Sequence, residues 1–117
     1  MTITEAITKA NAIRPNKMPD EQKYDAVMKL EGQVAELMAQ EQPIRNYPDG
    51  KANTLLMPYP NDNIYVLYLA AIIDYYNQEL DKYQNDSVIF EEAKQKAFSK
   101  YRRENVPNEY SDGFKVM

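Results

Sequence analysis

The chain predicts an all-α fold: a four-helix orthogonal or antiparallel bundle with three long helices and one short N-terminal helix. A long loop or small hairpin separates the second and third. Three observations predict it. Apolar residues recur at three- and four-residue spacing in four separate stretches, the period of a helix face. Only three glycines occur in 117 residues, and β-branched residues do not gather into the alternating runs that make strands. Capping or helix-start residues stand at the head of each stretch.

Thr2-Ile3-Thr4-Glu5 fits a capping box, in which threonine caps the first turn and glutamate reaches back to it. A short helix through about Ala12 follows, with Ile3, Ile7 and Ala10 facing inward, and Arg14-Pro15-Asn16 ends it because the residue before proline is pushed out of helical geometry. Pro19-Asp20-Glu21 opens the second helix: proline suits the first turn, and acids complement its positive end. Tyr24, Val27, Leu30, Val34, Leu37 and Met38 mark the buried face. Gly32, costly within a helix, implies close approach by a neighbour. Glu31, Glu36 and Glu41 alternate with lysines and glutamines and read as a solvated face.

Positions 42–60 form the long irregular segment, with a Pro48-Asp49-Gly50 turn across which 44–47 and 54–57 would pair as a small hairpin. Gly50-Lys51 lacks the spacing of a phosphate-binding loop. Long loops in compact domains are usually functional or disordered, and the anchors Leu55, Leu56, Met57 and Tyr59 favour partner binding here.

The central helix is expected within 55–83, capped by Asn61 or Asp62. Val66, Leu69, Ile73, Tyr76 and Leu80 make one stripe, and Tyr65, Tyr68, Ile72 and Tyr75 a second, rotated one. A helix with two apolar faces needs cover on more than one side. Tyr65, Tyr68 and Tyr75 are candidates for contact with another subunit, the alternative being burial in their own core. The run is too short and tyrosine-rich to span a membrane.

Asp74 is the lone charge in the apolar half of this helix; it should point to an edge or pair with Arg102 or the Tyr101 hydroxyl. That register assumes a reversal at 84–87. A fourth helix then starts at Asp86 or Ser87, buries Phe90, Ala93, Ala97 and Tyr101 with Phe98 at the edge, and ends near Arg103 or Glu104 before Val106-Pro107. Residues 1–107 thus form the helical domain and 108–117 a tail whose tip, Phe114, Val116 and Met117, is either a docking arm or a frayed apolar end.

Composition excludes much chemistry. Without cysteine or histidine there is no disulfide, thiolate zinc site or Ser-His-Asp triad, and no cofactor or metal is expected. A net charge of −4 disfavours sequence-independent attraction to nucleic-acid phosphates. The first residues lack the basic start and apolar core of a signal peptide, so the chain is expected to stay in the cytoplasm.

The order Met1-Thr2-Ile3, Glu5-Ala6-Ile7, Arg14-Pro15-Asn16, then KLEGQV at 29–34, the block 56–60 and DNIYVLYLAAIIDYYNQELDKYQND at 62–86 carries a resemblance. Phe90, Phe98, Tyr101-Arg102-Arg103 and Pro107 complete it. Together these resemble the small head–tail connector (adaptor) proteins of tailed phages and prophages of Gram-positive bacteria. The resemblance implies a helical subunit without catalytic residues that sits in the virion neck after assembly in the host cytoplasm. It also implies a ring of roughly a dozen copies between the portal and the next neck or tail protein, with DNA passing through. The competing reading is a small, non-enzymatic protein-binding or regulatory module of a prophage. A DNA-reading version is disfavoured because the only basic cluster, Lys96, Lys100, Arg102 and Arg103, suits the negative end of its helix.

Overall fold

Four helices, α1 (Ile3–Ile13), α2 (Asp20–Leu37), α3 (Asn63–Tyr76) and α4 (Leu80–Glu104), make up the bundle. The structure is a computed structural model that describes residues 1–42 and 54–105. The hairpin half 44–47, the 48–50 turn and the tail residues Phe114, Val116 and Met117 lie outside the described residues. None of the described helices is long and apolar enough to cross a membrane.

The helix α3 is central because α1, α2 and α4 all pack on it. Its two apolar faces are answered by Ile3, Ala6, Ile7 and Ala10 from α1, by Tyr24, Val27, Leu30 and Val34 from α2, and by Phe90 and Ala97 from α4. Ile64, Tyr65, Leu69 and Ile73 lie wholly inside that cover. The capping box at α1 is present: Glu5 N donates to Thr2 Oγ1 and Thr2 N to Glu5 Oε1, each at 3.1 Å. Leu37 and Met38, by contrast, are only half-buried. Gly32 does meet a close neighbour, since a Cβ there would lie 3.1 Å from Gln42 Oε1. Gln42 folds back to donate to the Met28 carbonyl at 2.8 Å, so the glycine makes room for the chain leaving α2.

The third and fourth helices differ from expectation. The central helix stops at Tyr76 instead of running on towards Tyr83, and α4 starts at Leu80 instead of Asp86 or Ser87. The reversal lies at 77–79, about two turns earlier than the cluster of turn-forming residues at 84–87 suggests. Gln78 occupies the left-handed region at φ 59°. There Gln78 N donates to the Tyr75 carbonyl and Glu79 N to the Asp74 carbonyl, at 3.0 and 2.9 Å. These are the two bonds of a Schellman closure, which usually places glycine at the left-handed position. The end of α2 repeats it with Ala39 at φ 54°, where Ala39 N donates to Glu36 and Gln40 N to Ala35. Neither stop carries glycine, the signal that a sequence reading relies on.

Asp62 stands at the N-cap of α3 but makes no side-chain capping bond; its Oδ2 instead accepts from the Met1 amino group at 3.2 Å. Thr2 and Thr54 form an isolated antiparallel bridge, and Leu55 N donates to the Met1 carbonyl at 2.9 Å. The segment entering α3 is therefore tied to the start of α1.

Candidate functional site

Three features set the chemistry available to the bundle. The first is a charge cluster where α1, α3 and α4 meet. Arg14, the C-cap residue of α1, donates from Nε to Asp74 Oδ1 at 3.1 Å and to Asp86 Oδ2 at 3.2 Å. Its Nη2 donates to Asp86 Oδ2 at 2.8 Å. Asp74 is fully buried, and its partner is Arg14, not Arg102 or the Tyr101 hydroxyl. The early turn explains the correction, because it sets Asp74 opposite the first two turns of α4, where Asp86 lies. Arg102 is exposed on the last turns of α4, beside a groove it lines with Gln33, Glu36, Leu37 and Phe98.

Burial raises the Asp74 carboxyl to about 6, and the neighbouring Asp86 pushes the same way against the pull of Arg14. Burial also acts to raise Asp86, but hydrogen bonds from Asp74 and Arg14 outweigh it and hold that group below its ordinary value. Asp74 Oδ2 meets no donor among the described residues. A proton on Asp74 turns it into a donor towards Asp86, so between pH 4 and 6 one carboxylate faces one guanidinium and the cluster is neutral overall.

The second feature is the anchor of the long connection. Glu31 is fully buried and not on a solvated face. Its Oε1 accepts from the Tyr65 hydroxyl at 2.5 Å and its Oε2 from Leu56 N at 2.9 Å. The Tyr65 hydroxyl in turn accepts from Met57 N at 3.0 Å. Tyr65 is thus a core residue and not a subunit contact, and Leu55 and Met57 are likewise buried in their own bundle, with Leu56 half-buried. Glu31 was legible by spacing: it continues the Tyr24, Val27, Val34 ladder at three- and four-residue steps. Its charge argued the other way. Glu36 and Glu41 are exposed, as expected.

The third feature is the apolar surface left over. Tyr68 is half-buried with its ring 5.0 Å from that of Phe90. Tyr59 and Tyr75 are open, at 86% and 62% exposure, and Tyr75 packs edge-on against Tyr83. Tyr76 and Leu80, placed on an inward stripe by periodicity, are also exposed, because that stripe assumed one continuous helix. With Met18, Gln22, Ile72, Tyr75 and Gln78 they line an open groove of about 630 Å³ at the α3–α4 turn. None of its lining residues among those described is charged. No cluster of three or more potential metal ligands occurs among the described residues. Comparison with protein-family models, curated proteins and solved structures gives no match for this chain.

Proposed function

We propose that this chain is a structural subunit that acts by assembly, a head–tail connector forming a ring between the portal and the next neck or tail component of a tailed phage or prophage. The observation that carries the assembly part is the uncharged groove at the α3–α4 turn. In a chain with 27% charged residues, a concave surface lined by Tyr75, Tyr76, Leu80 and Ile72 without one charge among the described residues has the character of an interface centre. The buried polar groups support a non-enzymatic role: Arg14, Asp74 and Asp86 cross-link helices, and Glu31 and Tyr65 hold the connection. The phage assignment draws on the sequence resemblance. Light scattering and negative-stain microscopy of the purified chain over a concentration series, alone and with a portal ring, test the proposal. Closed rings, or rings templated by the portal, are expected; a monomer at every concentration with no affinity for the portal refutes it.

A further inference from the structure

We infer that the groove at the α3–α4 turn receives the segment 106–117 of a second copy of this chain, giving a head-to-tail contact. This deepens the assembly reading and rests on it only in requiring that copies associate; it is independent of the phage assignment. Three observations commit the groove to that occupant.

The first is chemical match. The segment carries Phe114, Val116 and Met117, and in an extended segment 114 and 116 point to the same side. The groove offers Tyr75, Tyr76 and Leu80 at 62%, 45% and 59% exposure. The second is reach. The described chain ends at Asn105, beyond α4, whereas Leu80 opens that helix. The 25 residues of α4 separate the two by about 37 Å at 1.5 Å per residue. Phe114 lies nine positions past Asn105 and extends at most about 32 Å at 3.6 Å per residue. With α4 intact to its last turn it therefore falls short of its own groove, and Met117 would arrive only with the chain taut. A neighbouring copy removes that limit.

The third is charge. Arg102 and Arg103 stand in the last turn of α4, from which the segment leaves, while Glu21 and Asp81 adjoin the groove residues Gln22 and Leu80 in the chain; Asp20 and Glu79, also beside the groove, are paired with Lys23 and Lys82. Head-to-tail placement sets the basic end of one copy against the acidic rim of the next, which steers encounter and disfavours head-to-head pairing. Such a contact closes into a ring when its rotation permits.

Complementation between two full-length variants tests this. Leu80→Asp spoils the groove while keeping the helix start, where an acid is favourable; Phe114→Asp spoils the segment. Each alone should lose self-association by about tenfold or more in the concentration required, the effect of losing one buried apolar side chain. Mixed, they should form 1:1 heterodimers through the one intact groove and one intact segment, and nothing larger. Circular dichroism of each variant should match the parent. A fluorescent peptide of residues 106–117 should also bind saturably to full-length Phe114→Asp, and about tenfold more weakly once Tyr76→Asp is added. Peptide binding that ignores the groove substitution, or no peptide binding, overturns the inference. Unchanged self-association by Phe114→Asp overturns it while leaving assembly standing. A wild-type chain that never self-associates removes the assembly reading, and the peptide titration still decides whether groove and segment meet.

Discussion

Replacing Asp74 by asparagine should stabilise the protein at neutral pH and leave it unchanged in acid. The carboxyl lies fully buried between Arg14 and Asp86, and the folded protein raises it from 3.8 to about 6. An acid raised on folding contributes stability that is complete below its unfolded value and lost as pH climbs through its folded value. At 1.36 kcal/mol per unit, the rise corresponds to about 3 kcal/mol lost between roughly pH 4 and pH 6.5. Asp86, held below 3.8, changes its contribution only at lower pH and leaves this window alone. Asparagine reproduces the protonated acid: Oδ1 accepts from Arg14 and Nδ2 donates towards Asp86, with no charge to desolvate. Urea unfolding followed by circular dichroism should place Asp74→Asn about 1–3 kcal/mol above wild type at pH 7. The gap should close by pH 4. Parallel stability curves from pH 4 to 7, with a constant offset, would refute the shared-proton reading of the cluster.

Other substitutions separate the remaining contacts. Arg14→Ala leaves two adjacent carboxyls without their cation and should cost about 2–4 kcal/mol at pH 7, while Arg102→Ala stays within about 0.5 kcal/mol; thermal melts decide. Arg14→Lys should recover only part of the loss, since an ammonium cannot match the forked donor geometry. Gln78→Gly relieves the left-handed backbone at φ 59° and should raise stability by about 0.5–1 kcal/mol, whereas Gln78→Val lowers it. Tyr65→Phe takes the hydroxyl from both Glu31 and the Met57 amide; a loss of about 1–3 kcal/mol is expected, with faster proteolysis of the connection before α3.

The sequence carried the helical class, the α1 capping box and most of the core, because burial on α1 and α2 follows spacing that a single helix imposes on its own residues. It misplaced what depends on where a helix stops. Asn85, Asp86 and Ser87 have the chemistry of a turn, yet they lie inside α4, and the true stop is built from backbone bonds around a glutamine. One shifted turn then moved the partner of Asp74 from Arg102 to Arg14 and brought Tyr76 and Leu80 to the surface. Glu31 was misplaced for a different reason, whereas Tyr65 follows the core alternative weighed for it. A carboxylate is assigned to solvent unless a donor is known, and its donors are a tyrosine on another helix and an amide of the long connection, neither of which spacing within α2 can reveal.

The burial of α4 is uneven along its length. Phe90 and Ala97 are its only fully buried residues, and none follows Ala97. The final two turns therefore hold together chiefly through their own ladder of amide bonds, too short a helix to persist in water unaided. Opening them should require far less free energy than unfolding the bundle, and their amides should exchange with deuterium well before those of α3. This portion of the helix can bend, fray or extend when a second molecule meets it, while the packing around Ile64, Leu69 and Ile73 keeps its shape. The bundle thus joins a rigid body to a compliant limb within one continuous helix.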